Sequence, residues 1–390
     1  MGRIKFKINP IIIIAFLLYH SCFINLYYVS EYKKIMVLCI IPTIIYFIFK
    51  AKEIVLEKYK KINLLLFIFS AILLFSSLLN WVNIDGTIWF ILKLWCVFIF
   101  WEHVNERKLV SPVLAIYILL SVFYTVYSLY YYNLDESLFY YYDRNFFVGN
   151  KFDLSYLAFL SFIFLKYYYV INNKNGIKPK MLLMILWIFS IYVSSFTGCS
   201  TMLLGNFLAI FLLKLVKSSL LYKTKNVVIL LIISSVILLF FSTIITNIEF
   251  VRNFIVNVLK KDVSLTGRVE IYENIFPIIG EKIFFGYSYG NSFYTLMEKI
   301  SAPNAQNALL DWWIMSGIFG VIVIVNIIIR IFKNVNILGN EKLKPIVVGI
   351  YTFIFLGMVE ITINITFFTL LAILNIGVDY TKKLEGDIGE

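Results

Sequence analysis

The sequence has few charged residues: Asp, Glu, Lys and Arg occupy 15% of its 390 positions, against about 25% in a typical soluble domain. Hydrophobic residues make up 61% of the chain, and about 45–50% is usual. This composition excludes a soluble enzyme and a disordered chain, because a soluble surface and a solvated coil both need more charge. The sequence therefore indicates an integral membrane protein.

Motifs that bind metals or form disulfides are also missing. The four cysteines, Cys22, Cys39, Cys96 and Cys199, lie inside or beside apolar runs and form no CxxC pair. The sequence therefore predicts neither a disulfide framework nor a zinc site.

Long apolar runs fill most of the chain. A membrane-spanning helix needs about 20 mostly apolar residues, and the basic start of the chain has no small-residue cleavage site after it, so we interpret its apolar run as a first span that is kept. We predict an all-α integral membrane protein of about twelve transmembrane helices, forming one polytopic domain over residues 1–390. The apolar windows are 8–29, 35–49, 62–79, 87–100, 110–132, 152–170, 181–195, 200–216, 227–246, 307–332, 345–360 and 363–378.

The charges that are present fall mainly on one side of these windows. About two thirds of the 35 Lys and Arg residues lie in alternate loops and at both ends of the chain, and cytoplasmic segments are enriched in these residues. We therefore predict a multi-pass protein with both termini in the cytoplasm. The net charge of +12 marks topology and does not indicate a nucleic-acid partner.

One predicted outer loop, residues 247–306, is much longer than the others, and loops of that length are usually functional. Residues 249–261 have the spacing of an amphipathic interfacial helix, which either covers the bundle or borders a lipid entry groove. Thr266 is placed to cap a second helix that ends at Pro277, with Arg268 in its first turn. There Arg268 either binds a phosphate, together with backbone N–H groups, or pairs with a nearby carboxylate.

The end of this loop resembles the O-antigen and capsular polysaccharide polymerase family (Wzy-type) and the related O-antigen ligases. The family pattern is a Gly-Arg that opens a helix, a glycine-bearing turn, a His-Asn pair, a leucine three residues on and a glycine ten residues after the Asn. The chain matches it at Gly267-Arg268, Gly280, Gly286, Asn307, Leu310, Gly317 and Gly320. The chain departs from the family pattern at Gln306, where the family has His, and at Ser200, where the family often has Arg.

The resemblance implies a GT-C-like polytopic bundle in the bacterial cytoplasmic membrane. The implied reaction joins polyprenyl-diphosphate-linked repeat units at the outer face, with a chain-length regulator and a flippase as partners. A departing diphosphate needs either a metal or fixed cations. Because the chain has no Asp-x-Asp motif, we expect catalysis without a metal ion or other cofactor.

Candidate site residues follow from these expectations. Arg268 is the first cation, and Lys93, within a span, and Arg144, on the second long outer loop, are the others. Gln306, Asn307 and Ser200 are candidates for binding substrate. Glu360, in an apolar stretch, and Asp311, one helical turn past Asn307, are the candidate bases; Gln306 cannot accept a proton at neutral pH.

Two other functions remain open at this point. A ligase shares the donor and the fold but delivers the glycan to a different acceptor, and the loop motifs do not separate it from a polymerase. A flippase or transporter of lipid-linked sugars is expected to have internal repeats and paired interrupted helices, and the sequence shows neither.

Overall fold

A computed structural model describes residues 9–24, 32–50, 60–81, 84–134, 146–245 and 268–386, together with residues 248, 249, 253 and 257. Throughout these residues the regular secondary structure is helical, with one isolated bridge between Phe146 and Gly149. The predicted all-α class is confirmed.

The helices follow the apolar windows closely. In chain order they are α1 (Pro10–Phe23), α2 (Tyr32–Lys50), α3 (Lys60–Asn80), α4 (Ile84–Glu106), α5 (Val110–Leu134), α6 (Lys151–Ile171), α7 (Ile177–Phe196), α8 (Ser200–Leu215), α9 (Ser218–Leu221), α10 (Thr224–Ile245), α11 (Arg268–Glu281), α12 (Ser292–Ile300), α13 (Ala308–Leu338), a 3-10 turn (Glu341–Leu343), α14 (Lys344–Leu356) and α15 (Ile365–Gly386). Each of the twelve predicted windows overlaps one of these helices.

Among the described residues, six helices are long and apolar enough to cross a membrane: α3 to α7 and α13. Shorter apolar stretches lie in α1, α2, α8, α10 and α15. The chain is thus a membrane protein by the length and composition of its helices, and the total of twelve spans stays a prediction.

The centre of the bundle consists of α6, α14 and α15, whose side chains are mostly buried. By contrast, α7 exposes large apolar side chains such as Met184 and Ile188, as expected of a helix that faces lipid. Apolar side chains therefore both fill the interior and cover the outer surface.

The two ends of the bundle differ in charge. At one end, which we call the basic end, hydrogen bonds join neighbouring loops: Ser111 donates to Asn172 (3.2 Å) and the Tyr222 hydroxyl donates to the Asn340 carbonyl (2.6 Å). The loops at this end carry many exposed lysines, among them Lys174, Lys178, Lys217 and Lys223.

The opposite end is covered by residues 268–306, which we call the cap. Its apolar side chains form a small core of their own on the first turns of α13, and this core comprises Ile271, Tyr272, Ile275, Ile278, Ile279, Tyr287, Leu296, Ala302, Ala305, Leu310 and Ile314. The prediction that α11 ends at Pro277 is wrong, since the helix continues to Glu281. Burial of Ile278 and Ile279 in the cap core offsets the hydrogen bond lost at the proline.

The cap is joined to α13 by a break inside that helix. Gly317 has φ +67° and ψ −177°, a conformation that only glycine adopts at little cost. Around this break the Tyr287 N–H donates to the Ile314 carbonyl (2.6 Å), and the Ile318 N–H donates to the Ile283 carbonyl (2.8 Å). A Cβ at Gly317 would lie 2.0 Å from the carbonyl oxygen of Phe284. Gly317 therefore lets the cap backbone dock directly on α13.

Candidate functional site

A cavity of about 260 Å³ opens where α1 ends and where α4, α6 and α15 begin. We call it the Lys93 cavity, because Lys93 is the sole lysine or arginine among the described residues that line it. The lining residues are Ser21, Cys22, Phe23, Gly86, Trp89, Phe90, Lys93, Asp153, Tyr156, Leu157, Leu160, Tyr289, Asn364, Ile365 and Thr366.

Lys93 is half-buried in the wall of this cavity. It lies about 13 Å along α4 from Ile84, taking a helical rise of about 1.5 Å per residue. Within the described ranges, Nζ of Lys93 has no carboxylate within 4.0 Å and no hydrogen bond. A lysine within a membrane span costs about 2.5–3.5 kcal/mol on insertion scales, so a partner or a function is expected for it. The open space beside its ammonium group is the cavity.

The first turns of three helices also face the cavity. Gly86 lies in the first turn of α4 and Asp153 in that of α6, where Asp153 and Asn150 form a capping box. Asn364 precedes α15, and its Oδ1 accepts the Thr366 N–H (3.0 Å). The amino end of a helix carries a partial positive charge. Together with Lys93, these ends favour an anion in the cavity, and the Asp153 carboxylate offsets part of their charge.

Aromatic side chains form one wall of the cavity. Phe90 and Tyr289 stack with their ring centroids 4.6 Å apart, and Trp89 and Tyr156 also line the space. Burial, with the nearby Asp311 charge, raises the pKa of Tyr289 to about 12. The hydroxyl of Tyr289 therefore stays protonated at neutral pH. Since Tyr289 belongs to the cap, the cap contributes directly to the cavity.

The side chains of the two predicted arginines lie outside what the structure describes. Arg268 begins α11, in the first turn as predicted, and its side chain lies outside what the structure describes. Arg144 lies outside the described residues, as do Thr266 and most of the predicted amphipathic helix at 249–261.

Asn307 caps α13. Its Oδ1 accepts the N–H groups of Leu309 and Leu310 (3.1 Å each), and its Nδ2 donates to the carbonyls of Ser234 (2.9 Å) and Met358 (3.2 Å). This buried side chain thus holds the start of α13 against α10 and the loop after α14. The geometry gives Asn307 a structural role, and its predicted contact with substrate stays a prediction.

Gln306 adopts a left-handed conformation, with φ of 51°, and is half-buried. Its carbonyl accepts a hydrogen bond from the Tyr272 hydroxyl (2.8 Å), and its N–H donates to the Asn304 side chain (2.9 Å). Gln306 is therefore held by its backbone in the turn before α13, and its predicted role in binding sugar stays a prediction.

The two predicted bases lie apart from the Lys93 cavity, since neither lines it. Asp311 is buried, and its Oδ1 accepts the Ala305 N–H (3.1 Å), which ties the cap to α13. Glu360, also buried, accepts a hydrogen bond from the Thr201 hydroxyl (3.3 Å). Ser200, the neighbour of Thr201, begins α8 and is half-buried. Glu360 and Thr201 therefore form a second polar contact at the cavity end of the bundle, and the predicted role of Ser200 in binding substrate stays a prediction.

Among the lining residues that the sequence analysis missed are Asp153, Tyr289 and Asn364. Asp153 had a usable signal, because Asn150 and Asp153 have the spacing of a capping box at the outer end of a predicted span. Asn364 likewise precedes an apolar run in the manner of a helix cap. Tyr289 had no signal, since its place depends on how the cap folds back.

The described residues contain no group of three or more His, Cys, Asp or Glu side chains that could hold a metal ion. Comparison of the chain with protein-family models finds no matching family, and comparison with curated proteins finds no match. The Lys93 cavity is thus the feature on which a functional assignment can rest.

Proposed function

We propose that this chain is a membrane glycosyltransferase that joins polyprenyl-diphosphate-linked oligosaccharide repeat units into O-antigen or capsular polysaccharide. The observation that carries the proposal is the Lys93 ammonium, which faces a cavity and, within the described residues, has no hydrogen bond and no carboxylate within 4.0 Å. The family resemblance of residues 264–320 supports the same activity.

Several features of the cavity suit a diphosphate. A lysine is a compact cation that commonly binds phosphate, and the amino ends of α4, α6 and α15 add partial positive charge, of which the Asp153 carboxylate offsets a part. The Tyr289 hydroxyl supplies a neutral hydrogen-bond donor. Ligand sites of this kind combine an apolar and aromatic wall with a few convergent polar groups.

The sidedness of the molecule is consistent with this reaction. The basic end carries the loops that are rich in lysine, which are cytoplasmic by the positive-inside rule. The Lys93 cavity lies at the other end, so we place it at the outer face of the bacterial cytoplasmic membrane, where lipid-linked repeat units would be joined.

The proposed reaction gives roles to Lys93, Tyr289, Asp153 and the aromatic wall of the cavity. A hydroxyl oxygen of one repeat unit attacks the anomeric carbon of the other, and the bond from that carbon to the diphosphate oxygen breaks. The electron pair leaves with the diphosphate, whose growing charge Lys93 and Tyr289 stabilise. The hydroxyl proton passes to a carboxylate, and we assign this role to Asp153, the acidic residue of the described lining. The aromatic wall packs against the sugar ring.

The test is deletion of the gene followed by analysis of the surface glycan. We expect long chains to disappear while single repeat units are still displayed. Long chains that stay on their lipid carrier would indicate a ligase, and lipid-linked units that accumulate on the inner leaflet would indicate a flippase; either result would contradict the proposal.

Complementation then tests the site itself. We expect Lys93→Met to fail to restore long chains and Lys93→Arg to restore them in part. Lys166→Met is the matched control, because Lys166 is a half-buried lysine of α6 near the basic end. Long chains restored fully by Lys93→Met would show that the cavity is not the site.

A further inference from the structure

A second cavity, of about 340 Å³, lies at the basic end of the bundle. It is formed by the end of α8, the short linker to α9 and the start of α14. The residues that line it are Lys214, Leu215, Val216, Lys217, Ser218, Ser219, Glu341 and Lys344. We call it the Lys214 cavity, and it shares no lining residue with the Lys93 cavity.

The lining of this cavity is positively charged. Three ammonium groups, of Lys214, Lys217 and Lys344, face one carboxylate, that of Glu341. The Glu341 carboxylate is already engaged, because it accepts a hydrogen bond from the Ser218 hydroxyl. The cavity therefore retains an excess of positive charge, and a phosphate group is its natural counterion.

An apolar stripe on α8 leads away from this cavity. Leu204, Phe207, Phe211 and Leu215 follow one another at intervals of three or four residues, and these side chains are 43%, 52%, 51% and 72% exposed. Residues at this spacing share one face of a helix. The stripe ends at Leu215, which itself lines the cavity. A continuous surface thus passes from lipid-facing apolar side chains to a cluster of lysines.

We infer that the Lys214 cavity binds an anionic diacyl glycerophospholipid. Its phosphate contacts Lys214, Lys217 and Lys344, and an acyl chain lies along the α8 stripe. Basic pockets between helices at the cytoplasmic side of membrane proteins suit such headgroups. Free inorganic phosphate would use the lysines but gain nothing from the stripe. The inference does not depend on the proposed transferase activity.

The test measures lipid binding to the purified full-length chain by native mass spectrometry, with dioleoyl phosphatidylglycerol as the probe and dioleoyl phosphatidylcholine as the uncharged comparison. We expect the apparent affinity for phosphatidylglycerol to fall at least about tenfold in K214Q/K217Q/K344Q. The matched control is K178Q/K223Q/K333Q, which removes the same charge from exposed lysines toward the same end. It should stay within about twofold of the wild type.

Two further variants separate the contributions. K214R/K217R/K344R keeps the charge and should keep the binding, which distinguishes lost charge from misfolding. F211S/L215S should weaken phosphatidylglycerol binding and leave inorganic phosphate binding unchanged. Equal losses in the two glutamine triples would overturn the inference in favour of diffuse surface attraction. Equal binding of phosphatidylcholine, or millimolar phosphate that displaces the lipid completely, would overturn it as well.

Discussion

Replacing Lys93 by methionine should make the protein more stable and less active. Methionine has nearly the same length and no charge, so the substitution removes the ammonium group while leaving the packing of its stem on α4. A residue kept for structure would show the opposite change in stability. The direction of the two effects together therefore distinguishes a functional cation from a structural one.

The gain in stability follows from the position of Lys93 in its span. A lysine at the centre of a membrane helix costs about 2.5–3.5 kcal/mol, and the cavity hydrates part of this charge. We therefore expect a gain below about 3 kcal/mol, seen as a rise of a few degrees in the melting temperature.

The loss of activity follows from electrostatics at the leaving group. Removing one preorganised group that stabilises a developing negative charge typically lowers kcat by about 10²–10³. We expect a loss of that size in Lys93→Met and about tenfold in Lys93→Arg, which keeps the charge but changes its geometry.

Both quantities are measured on the same preparations. Thermal unfolding of the full-length chain in detergent gives the stability, and the length distribution of polymer made in proteoliposomes gives the activity. Lys166→Met, scored alongside, should leave polymer length unchanged. A lower melting temperature in Lys93→Met, or full polymer length, would refute the reasoning.

Three further predictions test the fold around the site. Asn307→Ala removes the cap of α13 and the two hydrogen bonds that the Asn307 amide donates to the Ser234 and Met358 carbonyls, so thermal unfolding should show a loss of about 2–3 kcal/mol. An unchanged melting temperature would contradict the structural role. Gly317→Ala should prevent the cap from docking and reduce the yield of folded protein. The control Gly280→Ala, whose Cβ meets nothing within 4 Å, should gain up to about 1 kcal/mol in stability. Equal effects of the two substitutions on stability would contradict the break in α13. Hydrogen bonds from Lys299 and Tyr287 hold the pKa of the exposed Glu281 below its usual range. The Lys299 contact therefore stabilises the cap at neutral pH, and this stabilisation is lost on acidification below about pH 4. The protection of the α12 amides against hydrogen exchange, taken relative to their intrinsic exchange rates at each pH, should therefore fall at low pH in the wild type and not in Glu281→Gln.

The helices were predictable because apolar windows determine where a chain crosses a membrane. The short loops between helices were harder to predict. The helices are interrupted at 197–199 and 357–364, where neighbouring apolar windows nearly merge. The break at Gly317 was not predictable, since residues 308–332 form one largely apolar window and hydropathy carries no information on φ. Pro277 led to a wrong helix end, because burial of Ile278 and Ile279 in the cap core outweighs the tendency of proline to end a helix.

The candidate site was only partly predictable for a related reason. Lys93 was found because a charged side chain within a membrane span costs free energy however its helix packs against the others. Asn307 was found by its place in a motif, but the hydrogen bonds that its Nδ2 donates to the Ser234 and Met358 carbonyls depend on how α10 and the loop after α14 pack against α13. The cavity itself joins residues from distant parts of the chain, such as Cys22, Asp153 and Asn364, and only the packing of the helices brings these together.

The central claim is that the Lys93 cavity binds the diphosphate of a lipid-linked saccharide, and the affinity for undecaprenyl diphosphate tests it most directly. The measurement compares the wild type, Lys93→Arg and Lys93→Met as full-length chains in nanodiscs of uncharged lipid. We predict tight binding by the first two and binding at least about tenfold weaker by Lys93→Met. Equal affinity in all three chains would contradict the claim.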